Sequence, residues 1–313
     1  MVISIAVSPG AGATLARAAF PGTNGEIAFT AQNDYFCSDT NHGLASAIYT
    51  FTPGASVTPI NVHDPFLRHA GDPEWSPSGK RIAGARYEPI YGHSSQGYDD
   101  RGVFIVNRDG SGRTPITTAG YHPAWSPNRK RLAFLDGSGH LRTVKLDRTG
   151  SRLLDSHLSQ DVDWSSHNRL AYTRYGLGPG GSFKIFTIKP NGTQRRFLIR
   201  GEEPDWSPNG RQLVFREETG GLAVIKPNGT GFHEIRNGGA PQGFHPVWSP
   251  DATQIAFTIS TGDVFGDVYV MNANGTGERK VAQLTANSCG NVGEVTTLDW
   301  QPARPRWVSP SGG

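Results

Sequence analysis

Glu203-Pro204-Asp205-Trp206-Ser207-Pro208-Asn209-Gly210, followed by Leu213-Val214-Phe215, is one copy of a unit that recurs along the chain. Asp72-Pro73-Glu74-Trp75-Ser76-Pro77-Ser78-Gly79 with Ile82-Ala83 is another. The Trp copies are Trp75, Trp125, Trp164, Trp206, Trp248 and Trp300, and the apolar triplets begin at Ile27, Ile82, Leu132, Leu170, Leu213 and Ile255. The two series are out of phase. The first triplet has no Trp before it, and Trp300 is followed by Arg304, Pro305 and Arg306 with no triplet. Each half-repeat completes the other only if the chain closes on itself, which also removes the exposed sheet edges of an open array. The fold class read from this pattern is all-β: a six-bladed β-propeller whose C-terminal strand pairs with the N-terminal blade.

Spacing agrees with that count. Successive Trp residues lie 50, 39, 42, 42 and 52 apart, and a four-stranded blade takes roughly 40 to 45 residues. Within a unit, strand A ends at the Trp, the Ser-Pro-x-Gly turn reverses the chain, and the triplet is strand B. Alternating runs such as Val103-Phe104-Ile105-Val106 supply strand C, and Asp109-Gly110, Asn191-Gly192, Asn228-Gly229 and Asn274-Gly275 mark the tight turns that follow. Phe197-Leu198-Ile199 exemplifies strand D. With 40 Gly, 22 Pro and no sustained helical period, almost no helix is expected. Asn-Gly-Thr recurs at residues 191, 228 and 274 as a match to the glycosylation sequon, but recurrence at one slot argues for turn chemistry.

The domain reading is a leader or signal-peptide remnant at 1–20, the propeller at 21–302 and a disordered tail at 303–313. Val2, Ile3, Ile5, Ala6 and Val7 ahead of Ala16-Arg17-Ala18 resemble the end of a secretory signal, so a periplasmic or secreted location is expected. No stretch has the roughly 18 apolar residues of a membrane span. Strands alternate in direction, so B-to-C and D-to-A loops share one face, here the top, and A-to-B and C-to-D turns share the bottom. Cys37 and Cys289 both fall on top-face loops at the closure seam. A disulfide between them would close a loop of about 250 residues and would suit an oxidising compartment.

Net charge is +3, and the basic residues are scattered along the chain. The densest cluster, Arg129-Lys130-Arg131, fills the same slot as Lys80-Arg81 and reads as a solvated turn, so no nucleic-acid partner is expected. No Walker loop, H-E-x-x-H, paired C-x-x-C or EF-hand motif occurs. Gly92-His93-Ser94-Ser95-Gln96-Gly97 misses the nucleophile elbow by one residue and has no helix pattern after it.

The best candidate for chemistry is a ring. Asp72, His122, Asp161, Glu203, His245 and Thr297 each stand three residues before a Trp, where a propeller opens its channel at the top. The two His and three carboxylates among them are types that hold a divalent cation or a cationic ligand. Asp or Glu before a Pro-x-Trp turn also caps loop N–H groups, and both roles stay open. A second candidate is a contact surface on enlarged B-to-C loops, with Tyr35, Phe36 and Asp39 on one and Tyr87, Tyr91, His93, Tyr98 and Asp99 on the insertion at 85–102.

The repeat resembles the TolB-type WD40-like propeller repeat over about residues 24–302, with five Trp-Ser steps, four of them followed by Pro. That resemblance implies an exported, mostly non-catalytic propeller. The functional expectation is therefore a monomeric, non-enzymatic binding or scaffold protein, peripheral to the cell envelope, whose top face takes a protein, peptide or envelope ligand. A metal-dependent lyase or hydrolase at the channel mouth is the alternative. No cofactor is expected beyond the candidate divalent cation.

Overall fold

A computed structural model describes residues 5–6, 23–34, 44–53, 58–59, 70–89, 98–176, 182–239, 241–260, 265–284 and 295–303. All regular structure among them is strand, arranged as six antiparallel sheets. Blade 1 runs from Val295–Ala303 (strand A) through Thr23–Asp34 (B) and Leu44–Phe51 (C) to Thr58–Pro59 (D). In the same A-to-D order, blade 2 is Ala70–Trp75, Arg81–Pro89, Tyr98–Asn107 and Thr114–Pro115, and blade 3 is Tyr121–Trp125, Arg131–Leu135, Leu141–Lys145 and Arg152–Asp155. Blade 4 is Ser159–Trp164, Leu170–Tyr175, Phe183–Ile188 and Arg196–Arg200, and blade 5 is Glu202–Trp206, Leu213–Arg216, Leu222–Ile225 and His233–Arg236. Blade 6 is Gly243–Trp248, Gln254–Ser260, Phe265–Asn272 and Arg279–Leu284. Ile5–Ala6 lies antiparallel beside this last strand, with Ile5 opposite Leu284.

The seam closes as the two half-repeats require. Ile27 pairs with Trp300, Phe29 with Leu298 and Thr30 with Thr297, so the last strand of the chain is the innermost strand of the first blade. That strand runs to Ala303, opposite Thr23. The buried hydrophobic residues fall into clusters that each join two neighbouring blades. Trp75, Trp125, Trp164, Trp206 and Trp300 are among the largest fully buried side chains. Each blade therefore buries its faces against its neighbours, which is why single blades do not stand alone.

Local chemistry sets the turns. In the A-to-B turn the Ser is buried, and its Oγ accepts from the backbone that opens strand B: Arg81 N at 3.1 Å, Gln212 N at 2.9 Å and Gln254 N at 2.8 Å. The fourth turn residue adopts positive φ, 61° at Gly79 and 62° at Gly210 but also 60° at Arg129 and Ala252. In the C-to-D turns Asn191, Asn228 and Asn274 each accept through Oδ1 from the N–H and the hydroxyl of the Thr two residues on. The sequon-like triplets thus spend their Asn oxygen on turn formation.

Strand B of blade 2 extends further than its apolar pattern suggested. Tyr87 pairs with Asp100, Glu88 with Asp99 and Pro89 with Tyr98, so part of the insertion at 85–102 is a continuation of the hairpin rather than loop.

Candidate functional site

The ring expected at the channel mouth is assembled by a bulge repeated in strand A. Gly71 pairs with Ala85 and Glu74 with Ala83, so Asp72 and Pro73 together face Gly84. His122-Pro123, Glu203-Pro204 and His245-Pro246 interrupt their ladders in the same way, and Asp161 does so alone. Pro has no N–H for a ladder and is tolerated at such breaks. The first bulge residue takes positive φ whether Pro or, after Asp161, Val follows: 51° at Asp72, 45° at His122, 43° at Asp161, 53° at Glu203 and 50° at His245. Non-Gly residues at these angles are strained, and here the strain turns five side chains into one opening. With Thr297 they line a cavity of about 90 Å³.

Inside the ring Asp72 and Glu203 each accept from the next blade. Asp72 N donates to Thr30 Oγ1 at 3.1 Å, His122 N to Asp72 Oδ2 at 3.1 Å, and His245 N to Glu203 Oε2 at 2.7 Å. Thr30 Oγ1 lies 2.7 Å from Thr297 Oγ1. The capping role is therefore present. The imidazoles sit between acids: His122 Nδ1 is 3.9 Å from Asp72 Oδ2 and 3.8 Å from Asp161 Oδ1, and His245 Nδ1 is 3.3 Å from Glu203 Oε1. Burial, with Asp161 adding repulsion, pushes the Glu203 carboxyl up to about 8. Burial lowers His245 to about 4, so at neutral pH this pair carries no net charge. Glu202, next along the strand, is raised to about 7 by burial and by Glu203, against the pull of Arg216. Arg216 bonds Glu202 and Gln242 and lies over the Phe244 ring, 4.2 Å from its centroid. Asp72 and Asp161 also face the mouth, and a positive group entering it would lower the Glu203 pKa and release its proton. Among the described residues no group of three or more His, Cys, Asp or Glu is spaced to hold a metal ion.

A second tier lies deeper, and sequence reasoning missed it. The residues immediately before the Trp are Glu74, Ala124, Asp163, Asp205, Val247 and Asp299, four of them acids. Asp163 accepts from Trp164 N through Oδ1 at 2.5 Å and from Trp206 N through Oδ2 at 2.6 Å. Asp299 accepts from Trp300 N at 2.8 Å and Trp75 N at 2.5 Å. Asp205 accepts from Trp248 N at 2.7 Å. Each carboxylate thus ties its own strand A to the next. Burial raises Glu74, Asp163, Asp205 and Asp299, Asp163 to about 6 and Asp299 to about 7. Asp163 already takes an N–H on each oxygen, so Asp205 holds the proton of this pair and donates it to Asp163. The signal was visible as an acid preceding Trp in four repeats, but a rule for one exposed mouth did not look behind it.

Of the proposed contact surface, Tyr87, Tyr98 and Asp99 stand on the extended hairpin of blade 2. Tyr35, Phe36, Asp39, Tyr91 and His93 lie outside the described residues, as do Cys37 and Cys289.

No family model matches the chain. A protein TolB homolog of Chlorobium luteolum is 31% identical over a stretch covering 36% of this chain and 30% of that protein, so the chain matches under a third of the length of this relative. The crystal structure of TolB from Acinetobacter baumannii superposes with a TM-score of 0.65 at 15% identity, over 89% of this chain and 67% of that one. A chain of a nidogen–laminin complex gives the same TM-score at 13% identity, over 90% of this chain and all of that one. The fold is a TolB-like six-bladed β-propeller.

Proposed function

We propose that this TolB-like propeller is an exported, non-enzymatic binding protein whose top face receives a basic segment of a protein or peptide partner. The observation that carries the reading is the mouth itself. Asp72, Asp161 and Glu203 converge from blades 2, 4 and 5 around a cavity of about 90 Å³, with His122 and His245 between them, and Asp72 and Asp161 supply its negative charge. That volume suits the head of one Lys or Arg side chain or a terminal amine, not a folded domain. The extended hairpin of blade 2, on which Tyr87, Tyr98 and Asp99 stand, is the second element proposed to contact the partner. The leader-like composition of residues 1–20 and the resemblance of the repeat support an extracytoplasmic location and a place at the cell envelope.

Panning a random-peptide library against the immobilised protein tests this. Peptides with Lys or Arg in one fixed position are expected to be enriched. Enrichment should fall at least tenfold for the Asp72→Asn, Asp161→Asn double variant, since each keeps its shape but loses a charge. The same selection in a chelator distinguishes a divalent cation at the mouth, which would alter the selected set. Absence of any consensus, or one indifferent to the double variant, defeats the proposal.

A further inference from the structure

The basic residues that look scattered in the sequence converge on the bottom face. Lys145, Lys189 and Lys226 stand at or just after the end of strand C in blades 3, 4 and 5, and all three are exposed. Lys80, Lys130 and Arg211 occupy the A-to-B turns of blades 2, 3 and 5, also exposed. Copies lie 37 to 81 residues apart, so no local charge run announces them. None of the six has an ion-pair partner among the described residues. The acids of this face are fewer and bond within their turns, Asp109 with Ser111, Asp147 with Thr149 and Asp251 with Thr253, while Glu26 pairs with Arg108; Asp147 also feels the charge of Lys145. The top face is the reverse. There Arg142, Arg174, Arg200 and Arg216 each pair with a carboxylate, and the mouth keeps acids in excess.

The rim of the basic face also carries apolar side chains in water. Leu153, Phe197 and Phe232 are 45%, 55% and 48% exposed. Leu153 and Phe197 are each the second residue of a strand D, directly after Arg152 and Arg196, and Phe232 lies in the C-to-D turn of blade 5, one residue before its strand D. Cations beside exposed apolar groups on one flat edge are what an anionic lipid surface recognises: the charges meet headgroups and the apolar groups enter the interface. A nucleic acid would use the cations and stack on Phe, but it has no use for an aliphatic Leu at the same register.

We infer that the bottom face of blades 2 to 5 is a docking surface for an anionic membrane. The molecule sits on it with the acidic mouth directed away. This surface does not share residues with the mouth, so either proposal stands or falls without the other.

Co-sedimentation of the full chain with vesicles tests it. Binding is expected to vesicles containing phosphatidylglycerol and not to pure phosphatidylcholine, and it should weaken as salt rises. The triple variant Lys145→Gln, Lys189→Gln, Lys226→Gln should lose about a hundredfold in affinity, roughly fivefold per cation. It should melt like the parent and select the same peptides at the mouth. Phe197→Ser with Phe232→Ser should lose about tenfold while keeping the salt dependence. No binding to phosphatidylglycerol at low salt, or equal binding by the triple variant, overturns the inference. Retention of duplex DNA at a salt concentration that releases the vesicles also overturns it and assigns the face to nucleic acid.

Discussion

The A-to-B turn shows how one backbone position weighs on a single residue. Five copies put their fourth turn residue at positive φ, yet only Gly79 and Gly210 are glycines, while Arg129, Asn168 and Ala252 adopt 60°, 59° and 60°. An L-residue held there costs about 1 kcal/mol relative to glycine, least for Asn168, whose side-chain oxygen can bond locally, and in full for Arg129 and Ala252, which have none. Ala252→Gly is therefore expected to raise stability by about 1 kcal/mol, about 2 °C in melting temperature. Gly210→Ala should do the reverse and more, because its Cβ would lie 2.6 Å from His167 Nδ1. Calorimetry of both variants checks the pair, and a lower melting point for Ala252→Gly would refute the account. The Ser-Pro-x-Gly signature made this turn legible in the sequence even where Gly is replaced. The positive φ three residues before five of the Trp residues was not legible, because four of these residues precede Pro and ordinarily read as extended backbone, and only the ladder break reveals the bulge.

Between elements, neighbouring A strands are fastened by carboxylates, and the fastening at blades 4 and 5 separates two chemically similar residues. Asp163 takes a backbone N–H on each oxygen, so an amide nitrogen there would face a donor. Asp163→Asn should cost about 2–3 kcal/mol. Asp205 carries the shared proton and uses one oxygen for Trp248 N, so Asp205→Asn reproduces its pattern and should change stability by less than about 1 kcal/mol at pH 7. Denaturant titration of the two variants checks this, and equal losses would refute the proton assignment. The strands, the seam and the mouth followed from the repeat because each blade repeats one pattern. The deeper tier did not, because Ala124 and Val247 interrupt it and the unit was read from what is common to all copies. The basic face escaped for a related reason: its charge is distributed over turns of different blades and becomes a patch only after the ring closes.

For the whole molecule the buried acids set the response to pH. Glu202, Glu203, Glu74, Asp163, Asp205 and Asp299 all have folded values above their unfolded ones, in the first place because of burial. The folded state therefore binds more protons, and the stability these groups supply is full below about pH 4 and lost as pH rises through their folded values, about 6 for Asp163, about 7 for Glu202 and Asp299 and about 8 for Glu203. His245 runs the other way, losing stability as pH falls from its ordinary value to about 4. Burial alone would raise Asp155, but Arg174, Tyr172 and His157 outweigh it and hold it at about 2, so its contribution is lost only in stronger acid. Six groups against one predict a melting temperature higher at about pH 5.5 than at about pH 8. A melting series across that range checks it, and a flat or rising trend toward pH 8 would contradict the assignment.

The pairing of Ile27 with Trp300 has a consequence in time. Synthesis delivers strand B of the first blade long before the strand that covers it, so through most of translation that blade lacks its inner edge. The ring becomes a ring only when the last stretch emerges, and a chain handed to a secretion channel before then would pass through without a finished fold to unravel.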